Sequence, residues 1–289
     1  MGFFSLYQDI AMDLGTANTI ISNNGKIVVD EPSVVALDKI SNKMIAVGGK
    51  AKMMYEKTHE NIRTVRPLRD GVIADFFACE QMMRGMIKMV HSGHHLFSPS
   101  LRMVIGVPSG STEVELRAVR DSAEHSGGRD VYLIYEPMAA AIGIGLDVEA
   151  PEGNMVVDIG GGSTEIAVIS LGGIVTNNSI RVAGDDLTSD IQEYMNRQHN
   201  VKVSERMAER IKINVGSASL TCPPSWRPRT LWFTDRTRST SSRWRYLFAI
   251  RKSLIASTSR WPRLSLLCST LWNTLHQSFT PTSSRTASG

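Results

Sequence analysis

Residues 10–21 run from an apolar stretch through Asp13-Leu14-Gly15-Thr16-Ala17-Asn18 into a second apolar stretch. Residues 155–169 repeat this arrangement around Asp158-Ile159-Gly160-Gly161-Gly162-Ser163-Thr164. In each, an Asp precedes an aliphatic residue and a Gly, and a small or hydroxyl-bearing residue follows shortly after. Glycine-rich turns let backbone N–H groups approach phosphate oxygens closely. A carboxylate beside such a turn suits hydrated Mg2+, which keeps several waters and takes one or two carboxylates alongside phosphate. Two facing turns, each with one Asp, would together hold a nucleoside triphosphate and its cation.

A single Asp-x-Gly turn is common, whereas a pair with three consecutive glycines in one member is far more specific. Competing schemes fit worse. The chain has no GxxxxGK[ST] loop, and the segment after Asp158 lacks the third Gly of GxGxxG and enters a strand instead of a helix. The plainer alternative is that residues 160–162 form only a hairpin turn and that Asp13 and Asp158 merely cap turns.

The elements that must position these residues follow from periodicity and capping. Both motifs read as strand, turn, strand, and they lie 145 positions apart, about one domain, which suggests two related lobes. Residues 75–91 carry Phe76, Cys79, Met83, Met86, Ile87 and Val90 at helical spacing and predict a core-facing helix. Residues 101–107 predict a strand ending at the Pro108-Ser109-Gly110 turn. Thr112-Glu113-Val114-Glu115 is a capping box opening a helix to His125, stopped by Gly127-Gly128. A strand over 131–135 and a helix opening at Glu136-Pro137 come next. Residues 184–198 and 204–216 predict two further helices, the first with acidic residues where the helix dipole favours them. Alternating strands and helices indicate an α/β architecture.

Composition narrows the function classes. The net charge of +4 is uneven: residues 219–289 hold eleven Lys and Arg against the single acid Asp235, so the first 218 residues carry −6. That acidic part excludes reading the whole chain as a basic nucleic-acid binder. All five Trp follow residue 218, and all fourteen Met precede it. No run is long and apolar enough to span a membrane, and no signal or myristoylation pattern opens the chain. Three scattered Cys give no disulfide framework, so a reducing cytoplasm is the expected compartment. His91, His94 and His95 read as a polar loop in preference to a metal site.

Together, Asp13 to Thr19, Glu31-Pro32-Ser33-Val34-Val35-Ala36, Arg66-Pro67-Leu68-Arg69-Asp70-Gly71-Val72-Ile73-Ala74-Asp75, Glu136-Pro137-Met138-Ala139-Ala140-Ala141-Ile142-Gly143 and residues 158–164 resemble the MreB family of bacterial actin homologues, over residues 9 to about 216. The resemblance implies an actin-like (ribonuclease H-like) two-lobed α/β ATPase fold. It places a first lobe at 1–140, with a small subdomain inserted at about 36–65, and a partial second lobe at 141–216. It implies ATP and Mg2+, with phosphate contacts from Gly15, Thr16, Ala17 and Asn18 and from Gly160, Gly161 and Gly162. Asp13 and Asp158 would act on the metal through water, and Glu136 and Asp158 would be the catalytic carboxylates, Glu136 orienting the attacking water. Glu209-Arg210-Ile211-Lys212 would reach the nucleoside, although Glu209 and Lys212 also suit a solvated i,i+3 pair.

The family's activity is slow ATP hydrolysis coupled to polymerisation. Its filaments associate with themselves, with the cell-wall elongation machinery and with the inner face of the cell membrane, and nucleic acid is not among the implied partners. Phe3, Phe4, Leu6 and Tyr7 offer a small membrane contact, too little for an anchor alone. A non-polymerising ATPase of the same superfold, chaperone-like or sugar-kinase-like, is the alternative.

The pattern departs near residue 216. The family's third Gly-rich motif, which holds adenosine, has no counterpart in the 217–289 tail, whose only Gly is Gly289. That tail has no sustained period. Ser, Arg and Leu, the residues with most codons, dominate it, and the expectation is a disordered segment translated from a shifted reading frame. A basic Trp-bearing segment that binds nucleic acid or anionic lipid, or a novel folded domain, are the alternatives. On this reading the second lobe is incomplete and ATP binding and polymerisation are impaired.

Overall fold

The structure is a computed structural model that describes residues 7–55, 60–90, 100–215, 230–234 and 243–247. By compactness the chain divides into two units, residues 1–184 and 185–289.

The first unit opens with three strands, β1 (Tyr7–Leu14), β2 (Asn18–Asn23) and β3 (Lys26–Pro32). A smaller group follows: β4 (Val35–Asp38), β5 (Met44–Val47), α1 (Gly49–Met54) and β6 (Ile62–Val65). Next come the short β7 (Leu68–Arg69) and β8 (Val72–Ile73), then α2 (Phe76–Val90), β9 (Ser100–Val107), α3 (Glu113–His125), β10 (Gly128–Tyr135) and α4 (Glu136–Gly143). The unit continues through β11 (Asn154–Ile159), β12 (Thr164–Ser170) and β13 (Gly173–Ile180).

The main sheet has the order β10-β9-β1-β2-β3, with β1, β9 and β10 parallel and β1, β2 and β3 antiparallel. Its period of two decides which side chains meet the core. Ile10, Met12 and Leu14 of β1 and Leu101, Met103, Ile105 and Val107 of β9 are buried, so Ala11, Asp13 and Val104 point to the opposite face. The core face packs against α2 through Cys79, Met82, Met83 and Met86. That stripe is wider than the expected one, because Ala78, Met82 and Gly85 are buried too, while Phe76 is 38% exposed against the His125 ring.

The capping box appears as read: Thr112 Oγ1 accepts from the Glu115 N–H at 3.3 Å while the Glu115 carboxylate accepts from the Thr112 N–H at 2.8 Å. β4, β5 and β6 form a three-stranded antiparallel sheet with β4 central. β12 is likewise central, between antiparallel β11 and β13, and is buried along its whole length. α4 packs on this sheet through Ala141, Val156 and Ile169.

The second unit begins within α5 (Gly184–His199), followed by α6 (Glu205–Val215). Ile191, Met195, Val201, Ala208 and Ile211 form the core of this helix pair. β14 (Thr230–Thr234) and β15 (Arg243–Leu247) pair antiparallel. Most of residues 217–289, His91, His94 and His95, and residues 1–6 lie outside the described residues. Among the described residues, no helix is long and apolar enough to cross a membrane.

Candidate functional site

The first Asp–Gly turn connects β1 to β2, and its closure admits no side chain. A Cβ on Gly15 would sit 2.6 Å from the Asn18 carbonyl oxygen. The turn is braced from behind: Ser33 Oγ donates to the Gly15 carbonyl at 2.6 Å and shares a 2.9 Å hydrogen bond with Thr19 Oγ1, and the Ser33 N–H donates to the Ala17 carbonyl at 3.0 Å. Asp13, on the side of β1 away from the core, therefore faces a cleft.

The second turn connects β11 to β12. The Gly160 N–H donates to the Ser163 carbonyl at 2.9 Å, so this group closes the turn. Gly161 and Gly162 press against the first turn. A Cβ on Gly161 would lie 2.8 Å from the Ala17 Cβ, and one on Gly162 2.7 Å from Thr16 Oγ1 and 2.9 Å from the Asp70 nitrogen. The two turns thus meet only because these positions lack side chains.

A third piece went unassigned in the sequence. Asp70 and Gly71 have φ of 53° and 81° and form the tip of the β7–β8 hairpin. The Gly71 N–H donates to Thr16 Oγ1 at 3.0 Å, and a Cβ there would lie 2.9 Å from Ser163 Oγ. Asp-Gly between two short apolar pairs is a strong hairpin signal, so this tip was legible; its wedging between two distant turns was not.

The cleft has a volume of about 710 Å³ and is lined by both turns, by Gly71 and by Glu136. Glu136 opens α4 and lies over Gly106, where an added Cβ would be 3.5 Å from its Cγ; Gly106 is the β9 partner of Asp13. Burial, the nearby Asp13 and, beyond it, Glu165 and Asp158 push the Glu136 carboxyl up to about 8. Burial and Asp158 raise Asp13, and burial and Glu165 raise Asp158. Among the described residues, the lining contains three carboxylates and no Lys or Arg. Among the described residues, no group of three or more His, Cys, Asp or Glu is close enough to hold a metal ion directly.

Glu165 was not singled out from sequence. It is 1% exposed and accepts hydrogen bonds from Ser109 and Ser179. The signal was present, since it is the one ionisable residue inside the buried run of β12.

Glu209, Arg210, Ile211 and Lys212 lie on α6 in the second unit. Glu209 accepts from Thr188 Oγ1 at 2.6 Å and pairs with Lys212 Nζ at 2.7 Å, Arg210 is exposed, and Ile211 is fully buried in the helix-pair core. The i,i+3 pair anticipated as an alternative is therefore formed.

The fold is that of the actin-like filament proteins. It matches the crystal structure of MreB 5 of Spiroplasma citri bound to AMPPNP with a TM-score of 0.80 and 31% identity, over 96% of this chain and 80% of that one. The MamK double helical filament, at 19% identity, shares the fold with a TM-score of 0.70 over 95% of this chain and 81% of its own. The MreB/Mbl family model matches residues 7–224, and the chain belongs to that family. It is 50% identical over 222 residues to the cell shape-determining protein MreB of Escherichia coli K12, covering 75% of this chain and 63% of the relative. It is 51% identical over 211 residues to the cell shape-determining protein Mbl of Bacillus subtilis 168, covering 73% of this chain and 63% of the relative. The chain thus spans about 63% of the length of these curated relatives.

Proposed function

We propose that this chain binds Mg·ATP between its two Asp–Gly turns and acts as a bacterial actin-like protein of cell-shape control. The observation that carries the reading is the contact of Gly161 and Gly162 with Ala17 and Thr16 beside a cleft whose charged lining, among the described residues, consists of Asp13, Glu136 and Asp158. Without a basic residue in the lining, a polyphosphate needs a cation to enter. The scattered carboxylates suit Mg2+ held largely through its waters, Asp13 and Asp158 being the residues that would hold it. Bound there, Mg2+ would neutralise charge on the phosphates. The chain's own part is positioning: the turns orient the phosphates, and Glu136 orients a water for attack. A relative with AMPPNP bound supports the nucleotide, and relatives named for cell shape support the role.

The finer assignments belong to the same proposal: slow hydrolysis coupled to filament assembly, association with the elongation machinery and the inner membrane face, and α6 residues Glu209, Arg210 and Lys212 toward the nucleoside. The family match ends at residue 224, close to the change of composition at 218. We take the segment beyond as foreign to the family, which leaves adenosine contacts short and predicts weaker nucleotide binding and assembly than in E. coli MreB.

The test is titration of the full chain with Mg·ATP, followed by sedimentation with and without nucleotide. Binding with weakened assembly is the expected result. No binding at millimolar Mg·ATP by a folded chain would refute the reading, and filaments equal to those of the E. coli protein would refute the assignment of the tail.

A further inference from the structure

Glu165 stands directly opposite Asp158 in the β11–β12 register. Like charges across an antiparallel pair destabilise it, and burying a carboxylate costs more still unless donors satisfy it. Both oxygens have donors here, and these come from two sides. Ser109 donates its N–H, at 2.8 Å, and its hydroxyl to Oε2, and Ser179 donates its hydroxyl to Oε1. Ser109 lies in the turn between β9 and α3, beside the main sheet; Ser179 lies on β13 of the β11–β12–β13 sheet.

The surrounding contacts run along the same seam. Asn177 Nδ2 donates to the Ser109 carbonyl at 3.3 Å, Arg181 pairs with Glu115 at 3.4 Å, and a Cβ on Gly110 would lie 2.8 Å from the Ser179 Cβ. Of these groups only Glu165 is wholly buried and joined to both sides, and it shares its strand pair with Asp158.

We propose that Glu165 is a positioning residue: it latches the β9–α3 turn to the β11–β12–β13 sheet and so fixes the Asp158 turn against the Asp13 turn. The proposal rests on the Mg·ATP reading of the cleft for its consequence, though not for the latch itself. A displacement of about 1 Å at a reacting geometry costs on the order of 100-fold in rate, so loosening this seam acts on hydrolysis more than on binding.

Two substitutions separate geometry from charge. In Glu165→Gln the amide oxygen keeps the two Ser109 bonds, and the amide nitrogen meets a Ser179 hydroxyl that can turn to accept. Glu165→Ala removes every bond. The full chain is followed by amide hydrogen exchange without nucleotide, over residues 106–112 and 154–166, by Mg·ATP titration and by single-turnover hydrolysis.

For Glu165→Ala, exchange in both segments rises and hydrolysis slows, each by about tenfold or more, while Mg·ATP affinity stays within about threefold; Glu165→Gln stays within about threefold of wild type throughout. Should Glu165→Ala not fold, Ser179→Ala cuts one arm and shows the same pattern at smaller size. Wild-type exchange in Glu165→Ala, or in Ser179→Ala if that stands in, overturns the latch. So does a Glu165→Gln as impaired as the Ala variant, since charge would then be the cause. A wild-type chain that fails to bind Mg·ATP overturns the nucleotide reading and the positioning role with it, and the exchange result then judges the latch alone.

Discussion

Replacing Glu136 with Gln should make the nucleotide-free protein more stable at neutral pH. The folded protein raises this carboxyl from 4.5 to about 8, mainly by burial and then through Asp13, Glu165 and Asp158. An acid whose pKa rises on folding binds more protons in the folded state across that interval. Its contribution is therefore fully present below the unfolded pKa and is lost as pH rises through about 8. Each tenfold difference in proton affinity between the folded and unfolded chain is worth about 1.4 kcal/mol. Wild type should therefore lose about 2 kcal/mol between pH 5 and pH 7 from this group, allowing for its partial contact with solvent. Gln keeps the shape and removes the charge. Urea or thermal unfolding at pH 5, 6, 7 and 8, with metal chelated, should give Glu136→Gln a flatter profile and a Tm several degrees higher at pH 7. A shallow slope should remain, because Asp13 and Asp158 are raised in the same direction. Parallel profiles for the two proteins would mean that folding does not raise the Glu136 carboxyl, and the electrostatic account of the cleft would fail.

The same Glu136→Gln protein, and Glu136→Ala, should turn ATP over more slowly with Mg·ATP affinity almost unchanged; unaltered single-turnover hydrolysis removes Glu136 from the mechanism. ATP should bind at least about tenfold more weakly in EDTA than with Mg2+, since no basic side chain lines the cleft; equal affinities in a calorimetric titration would contradict this. Gly162→Ala drives a Cβ to 2.7 Å from Thr16 Oγ1 and 2.9 Å from the Asp70 backbone. It should cost about 1–3 kcal/mol in unfolding and weaken Mg·ATP binding about tenfold or more; wild-type behaviour would show that the turns are not in contact. Met83→Ala, in the core far from the chemistry, should cost about 2–5 kcal/mol without changing affinity per folded molecule, as chemical denaturation and titration together would reveal.

What was legible in the sequence was whatever local physics fixes. The α3 boundary followed from Thr112 and Glu115, whose reciprocal bonds need no tertiary partner. The Asp–Gly turns followed from glycines that no side chain can replace. The face of α2 was legible from its spacing, but its width was not, because Gly85 lies inward where an added Cβ would meet Met44 Sδ at 2.8 Å. Strands β4 to β8 escaped because each is only two to four residues long and its pairing partner is set by the sheet; β3 escaped too, although it spans seven residues. The Asp70-Gly71 tip and Glu165 escaped for another reason: each acts on groups about 50 residues away or more, and periodicity carries no such information.

The cluster of acids has a cost that sequence alone conceals. Asp158 and Glu165 oppose each other across a strand pair, Asp13 adjoins Glu136, and no lining cation relieves them. Such an arrangement persists only where something offsets it. Glu165 is satisfied internally by three donors, two hydroxyls and one backbone amide. Asp13, Glu136 and Asp158 are not offset to the same degree, since folding raises all three toward the neutral form. A cation from solution would relieve all three, and the proposed Mg·ATP would supply one. A free polyphosphate would meet only like charge among the charged groups of the lining. The proposed Mg·ATP, a cation carried by a polyphosphate, would meet both the acids and the glycine turns, so charge and turn geometry favour the same ligand class through different residues.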